Sequence, residues 1–241
     1  MTGTDSVNRQ TLSRVMWADD AAPREVVESL WTEPDALVER GMMLKDGDRT
    51  TLVQLFVDTK SYVLKRFNLR GPIHTAAHVA IRSRAAWCWR NAQMLFEAGI
   101  PTPKPLAAME CRAGPLRLRS FFLFEHVEGQ RLLDAVRNNR LKRAELEAVA
   151  DQFATIWERL GELRAAHGDM KATNFIIDRE QRMWLIDLDS MRVCRSDAML
   201  NRERRKDSDR FMRNWADMPE VEAIFRARID KSAVLAEPLP A

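Results

Sequence analysis

His167-Gly168-Asp169-Met170-Lys171-Ala172-Thr173-Asn174, followed thirteen residues after Asn174 by Asp187, is the stretch whose reading decides the fold. Two short apolar runs lie between, Phe175-Ile176-Ile177-Asp178 and Arg182-Met183-Trp184-Leu185-Ile186, parted by Arg179-Glu180-Gln181. Apolar runs bounded by polar turn residues read as strands, so loop, strand, tight turn and strand are expected in that order. Such a hairpin returns Asp187 towards Asp169 and Asn174, with Lys171 beside them. Phosphoryl transfer needs an acid to orient the attacking hydroxyl, hard oxygen ligands for Mg²⁺, and a cation on the transferring phosphate. Asp169 suits the first role, Asn174 and Asp187 suit the second as metal ligands, and Lys171 suits the third. An ordinary hairpin with solvated polar turns is the competing reading of the same residues.

At 241 residues the chain is long enough to bury a substantial core and to form a two-lobed protein with little decoration. Its formal charge of +3 carries no global nucleic-acid signature. The charge is uneven, however. Residues 59–96 hold no acid but seven bases, Lys60, Lys65, Arg66, Arg70, Arg82, Arg84 and Arg90. A local positive field of that kind favours phosphates, an anionic substrate or an anionic membrane surface. Cys88, Cys111 and Cys194 are odd in number and far apart, which suits neither a disulfide framework nor zinc and fits a reduced, cytoplasmic setting. Residues 1–6 lack the basic and apolar regions of a secretion signal, and no run approaches the roughly 20 apolar residues of a membrane span.

Along the chain, residues 1–35 read as polar and then helical around Pro23. Residues 51–57 and 61–67 read as strands by their β-branched and aromatic content, with turns at Asp46-Gly47-Asp48 and Asp58-Thr59-Lys60. Helical signal follows over residues 75–98 and stops at Gly99 with Pro101 beyond. Within it Ala85, Ala86, Trp89, Ala92, Gln93 and Phe96 form an apolar stripe, while Arg82, Arg84 and Arg90 form either a solvated face or a basic wall beside an anionic substrate. A three-proline linker over residues 99–106 leads to strands at 107–112 and 116–125, and the second of these runs into a short connector. Helices are expected over residues 131–138 and 141–164. In the longer one Leu146, Val149, Phe153, Ile156, Leu160 and Leu163 recur at core spacing. The charge-rich run over residues 202–210 reads as a solvated helix face, with docking on acidic membrane headgroups as the alternative.

His167-x-Asp169-x-Lys171-x-x-Asn174 with the later Asp187 resembles the catalytic loop and metal-binding Asp of protein kinases. That likeness implies an α+β, two-lobed protein-kinase-like fold. The small antiparallel N-terminal lobe would occupy residues 1–125, and the mainly helical C-terminal lobe residues 126–241. It also implies ATP and Mg²⁺ as cofactors, with Lys65 on the nucleotide α/β-phosphates and main-chain groups of Glu125 and Val127 on adenine. Gly168 stands where regulated protein kinases carry Arg, and Asp187-Leu188-Asp189 stands for Asp-Phe-Gly.

Three further stretches resemble the bacterial lipopolysaccharide-core (Kdo/heptose, WaaP-like) kinases. They are Trp89-Arg90-Asn91-Ala92, Gly99-Ile100-Pro101-Thr102-Pro103-Lys104-Pro105-Leu106-Ala107, and Leu185-Ile186-Asp187-Leu188-Asp189. The likeness, over residues 41–195, implies phosphorylation of a sugar hydroxyl of the lipopolysaccharide inner core. The partner would be an anionic core oligosaccharide, with peripheral contact at the inner membrane surface and no nucleic acid. No Gly-x-Gly-x-x-Gly lies between the first strands, and the helix after Lys65 has no acid before Glu97. Two alternatives therefore stay open: a small-molecule kinase of the aminoglycoside or choline type, and a catalytically weak kinase-like scaffold or stress protein.

Overall fold

A computed structural model describes residues 7–68, 83–114 and 116–235. The chain divides into two compact units, Met1–Met94 with Pro103–His126, and Leu95–Thr102 with Val127–Ala241. The segment Leu95–Thr102 therefore belongs with the second unit, although a boundary at residue 125 would place it in the first.

The first unit carries strands β1 (Val7–Gln10) and β2 (Arg14–Ala18), helices α1 (Arg24–Thr32) and α2 (Pro34–Arg40), and strands β3 (Met42–Asp46), β4 (Thr50–Val57) and β5 (Lys60–Phe67). Helix α3 (Arg84–Glu97) follows, then β6 (Pro105–Ala113) and β7 (Leu116–Glu125). The strands form one antiparallel sheet in the order β1-β2-β6-β7-β5-β4-β3. Alternation along them turns Met16, Val53, Leu55, Leu64, Met109, Phe121 and Leu123 into a shared core with Val26, Val27, Leu30, Leu37 and Val38 from α1 and α2. Burying such side chains, about 1.5–3 kcal/mol each, is what holds two short helices in place.

Strands β1 and β2 are absent from the sequence reading, which left residues 1–22 as a polar lead-in. Val7-Asn8-Arg9-Gln10 is polar, and the apolar run Val15-Met16-Trp17-Ala18 is too short to tell strand from helix; pairing of β2 along β6 from Arg14↔Cys111 to Ala18↔Ala107 supplies the order. Pro23 precedes α1 as its cap residue, one position earlier than expected. Part of the predicted helix over 75–98 lies outside the described residues, as do Arg70 and Arg82. In the described part Ala85, Ala86, Trp89 and Ala92 are buried as the stripe requires. Phe96 is half exposed, and Leu95 takes its place in the core. The helix stops where the sequence indicated, with Gly99 at φ +67°.

The second unit carries β8 (Gly129–Arg131), α4 (Leu132–Arg137), α5 (Arg143–Glu162), β9 (Ala165–Ala166), β10 (Phe175–Asp178), β11 (Met183–Leu185), β12 (Arg192–Val193), α6 (Asp197–Met212) and α7 (Pro219–Leu235). Its centre is aromatic. Phe153 of α5 stacks on Phe211 of α6 at 4.2 Å between ring centroids and meets Phe175 edge-on at 5.4 Å, while Trp215 lies parallel to Phe225 at 5.5 Å. Phe175, the first residue of β10, thereby pins the start of the hairpin into the helical core. The proline-rich stretch before β6 is no free linker. Leu185 N donates to Pro101 O at 2.8 Å and Thr102 Oγ1 donates to Leu185 O at 2.9 Å, so it edges β11. The fold is α+β and kinase-like, a seven-stranded antiparallel sheet followed by a mainly helical part.

The hairpin β10–β11 pairs Phe175 with Leu185 and Ile177 with Met183. Asp178 secures its turn. One oxygen accepts from the N–H groups of Glu180 and Arg182, and the other from Arg182 Nε and Trp184 Nε1, each at 2.8–2.9 Å. Burial pushes this carboxyl up, but the four donors outweigh burial and hold it below the usual carboxylate range. A depressed folded-state value contributes stability above the unfolded value of about 3.9 that is lost as pH falls through the folded one. Asp178→Asn is expected to lower the thermal midpoint at pH 7. In thermal melts recorded across pH, the gap to wild type should close as pH drops below 4; a gap constant with pH would contradict this assignment.

Candidate active site

Strand β9 ends at Ala166, paired with Arg192 of β12, and hands the chain to His167 and Gly168. Gly168 lies at φ +78°, and a Cβ built there would sit 2.4 Å from Ser190 O. Left-handed backbone and that close approach both require glycine here.

His167 is fully buried, and its Nε2 lies 3.1 Å from Ile186 O. A carbonyl only accepts, so Nε2 carries the proton. Ile186 N in turn donates to Asn174 O at 2.9 Å, extending the hairpin pairing one step past Phe175 and Leu185. These two bonds tie the residue immediately before Asp187 to both ends of the catalytic-type loop. Asp187 itself adopts φ 62°, ψ 61° and heads the single 3-10 turn Leu188–Ser190. A non-glycine residue there costs about 1–2 kcal/mol, which the surrounding bonds must offset.

Asn174 closes the loop from within. Its Nδ2 donates to Asp169 O at 2.9 Å, and its own N–H donates to Lys171 O at 2.9 Å. With Nδ2 committed, the amide presents Oδ1 as its remaining polar atom. Lys171 Nζ meets the Asp169 carboxylate at 2.9 Å. Asp169, Lys171, Asn174 and the backbone leading to Asp187 thus form one hydrogen-bonded set within the second unit. Among the described residues no group of three or more His, Cys, Asp or Glu side chains is arranged to hold a metal by itself. Mg²⁺ usually keeps several waters and takes one or two carboxylates plus substrate phosphates, and hard oxygens at Asn174 and Asp187 fit that manner of binding.

Of the remaining sequence-derived site residues, Lys65 and Glu125 belong to the first unit and Val127 to the second. Lys65 lies on β5 of the first unit between Leu52 and Phe122, buried, with Nζ 5.1 Å from the Phe67 ring centre. Glu125 ends β7 with its N–H given to Lys104 O at 3.0 Å, and His126 N–H goes to Ser61 O at 3.0 Å. Val127 opens the longer segment of the second unit, Val127–Ala241. The basic field over residues 59–96 is partly neutralised: Asp35 pairs with Arg66 at 3.3 Å, and Arg84 lies over the Phe67 ring at 4.6 Å.

Helix α6 contributes residues that the sequence reading missed. Asp207 is only 1% exposed and accepts from the N–H groups of Gly168 at 3.0 Å and Met170 at 3.4 Å. Arg210 donates to Gly168 O, and its Nε lies 3.6 Å from the Asp169 carboxylate. Arg204 caps the Trp157 ring at 3.9 Å and donates to Trp157 O; burial pulls its guanidinium down to about 10, still protonated at neutral pH. The run over residues 202–210 is therefore a solvated face on one side only, with Arg202, Arg205, Lys206 and Asp209 exposed. Its Glu203 and Asp207 are buried, and Asp207 with Arg210 braces the loop. The Asp207-x-x-Arg210 spacing, one turn of helix, was the available signal.

Two outcomes follow. Gly168→Ala should destabilise the protein by about 2 kcal/mol or more in denaturant melts, since the left-handed penalty adds to a backbone clash; an unchanged midpoint would mean that the loop is not packed as described. Asp207→Asn should cost about 1–3 kcal/mol by the same measurement, because it removes a buried acceptor of two N–H groups.

A profile of the lipopolysaccharide kinase (Kdo/WaaP) family matches residues 51–229. Among curated relatives, a protein of Stenotrophomonas maltophilia (strain R551-3) named 3-deoxy-D-manno-octulosonic acid kinase is 36% identical over 132 residues, 52% of this chain and 48% of its own length. Proteins of the same name from Haemophilus influenzae (strain PittGG) and Xylella fastidiosa (strain M23) are 30% and 28% identical over 143 and 162 residues, covering 58% and 61% of their lengths. The chain thus spans about half to three fifths of the relatives it matches. The profile match takes in strands β4 and β5, the loop, the hairpin and the α6 brace. The chain belongs to the lipopolysaccharide kinase (Kdo/WaaP) family.

Proposed function

We propose that this protein transfers the γ-phosphoryl group of ATP to a hydroxyl of an acidic sugar in the lipopolysaccharide inner core. The hydrogen-bonded set joining Asp169, Asn174 and the backbone before Asp187 carries this reading, and the name of the relatives supplies the acceptor class. Asp169 orients the acceptor hydroxyl and takes its proton as the oxygen forms a bond to phosphorus and the bond to the β-phosphate oxygen breaks, releasing ADP. Lys171, already on the Asp169 carboxylate, offsets charge on the phosphoryl oxygens. Asn174 through Oδ1 and Asp187 through its carboxylate would hold Mg²⁺, which would supply charge neutralisation on the phosphates. Lys65 neutralises the α/β-phosphates. The Glu125 and His126 N–H groups are used within the sheet, so adenine recognition falls to the Glu125 carbonyl and the Val127 N–H.

Among the described residues no helix is long and apolar enough to cross a membrane. Transfer of labelled γ-phosphate from ATP to purified core oligosaccharide, with an aminoglycoside panel alongside, tests the proposal. Asp169→Ala should lower kcat by about 10²–10⁴-fold while leaving the fold and nucleotide binding intact, and Asp187→Ala should also raise KM for Mg·ATP. Wild-type turnover by Asp169→Ala, or transfer to aminoglycosides alone, would contradict it.

A further inference from the structure

A buried amide stands in the middle of an otherwise apolar strand. Gln54 of β4 interrupts the run Leu52-Val53-Gln54-Leu55-Phe56-Val57, and it is buried. An amide there costs stability unless its polar atoms are bonded, and an apolar residue would suit the strand better. Its partner is distant in sequence. Gln54 Nε2 lies 3.3 Å from His126 Nδ1, and Ser61 Oγ of β5 lies 3.1 Å from the same ring nitrogen. The His126 N–H also donates to Ser61 O at 3.0 Å. Residue 126 is thus fastened to β4 and β5 through ring and backbone together, one position beyond the end of β7 at Glu125. All of these residues belong to the first unit.

The fastening acts on one peptide group. Glu125 C=O and His126 N–H share a planar trans peptide, in which the two bonds point in opposite directions. With the N–H committed to Ser61, the Glu125 carbonyl is turned away from β5 and cannot rotate without breaking that bond. The imidazole, held by Gln54 and Ser61, opposes the same rotation from the side-chain end. Strand β5 also carries Lys65. Gln54 pairs with Val63, so Gln54, Ser61, Val63 and Lys65 share one face of the sheet, with Ser61 about 14 Å from Lys65 at the usual strand rise. A nucleotide held at its phosphates by Lys65 and at its base by the Glu125 carbonyl is therefore positioned at both ends by one strand.

We infer that the Gln54–Ser61–His126 cluster sets base selectivity. By fixing the Glu125 carbonyl as an acceptor, it favours adenine, whose 6-amino group donates, over guanine, whose 6-oxygen only accepts. A peptide free to turn would offer its N–H to guanine as readily as its C=O to adenine, and would discriminate little. His126, Gln54 and Ser61 are positioning residues, since they act through Glu125. The inference rests on the proposed use of ATP and deepens it, because it names the nucleotide that the site excludes.

Calorimetric titration of the full chain with Mg·ATP and with Mg·GTP tests it. The wild-type protein should bind ATP at least about tenfold more tightly, since guanine sets acceptor against acceptor. His126→Leu should lower the ratio of the two affinities about threefold or more, chiefly by weakening ATP, and Gln54→Leu should do the same. His126→Asn should keep the wild-type ratio, because its amide oxygen takes the place of Nδ1 and accepts from Gln54 and Ser61. Leucine variants that lose affinity for both nucleotides alike, or for neither, leave the ratio unchanged and overturn the inference. A wild-type protein that binds GTP as tightly as ATP overturns it as well. Neither result touches the kinase reading. A wild-type protein that binds neither nucleotide removes that reading and the inference with it.

Discussion

The hydrogen bond from Ile186 N–H to Asn174 O is the constraint on which the site depends. It is the last rung of a hairpin only three pairs long, and such a ribbon has little stability of its own. Its neighbours supply the rest. Phe175 is held among the rings of Phe153 and Phe211, β8 pairs along the other side of β10, and Pro101 and Thr102 edge β11. The buried His167 ring then binds Ile186 O from the loop side. Asp187 can be kept in a left-handed conformation because everything adjacent to it is already fixed.

The second support is electrostatic. A buried carboxylate is costly unless its oxygens are satisfied, and Asp207 is satisfied by two loop N–H groups and the nearby Arg210 guanidinium. Removing the loop from Asp207 would therefore leave a buried charge without donors. That penalty, more than the modest net gain of each bond, keeps Gly168, Asp169 and Met170 in one geometry. The brace and the hairpin act on opposite ends of the same eight residues, which is how a loop becomes rigid enough to position a carboxylate.

Much of this was legible in the chain. The apolar runs on either side of Arg179-Glu180-Gln181 announced the hairpin, and the spacing of His167, Asp169, Lys171, Asn174 and Asp187 announced the loop. The stripe Leu146, Val149, Phe153, Ile156, Leu160 marked α5. What stayed hidden has physical reasons. Strand β2 is ordered by pairing with β6, a long-range event without a local pattern, and β1 by pairing with β2. Asp207, Arg204 and Arg210 lie in a run so rich in charge that solvation was the natural reading; a buried ion is defined by what packs over it, here the loop and Trp157. The edge formed by Pro101 and Thr102 was masked because three prolines suggest a spacer. Family membership agrees with the legible part.

The central claim is that loop and hairpin together present Asn174 and Asp187 to one metal ion. Diffraction from crystals grown with Mg²⁺ and a non-hydrolysable ATP analogue measures it directly. The account predicts Asn174 Oδ1 and an Asp187 carboxylate oxygen on the ion, each at about 2.0–2.1 Å. An ion bound to the nucleotide with either side chain turned away from it would contradict the account.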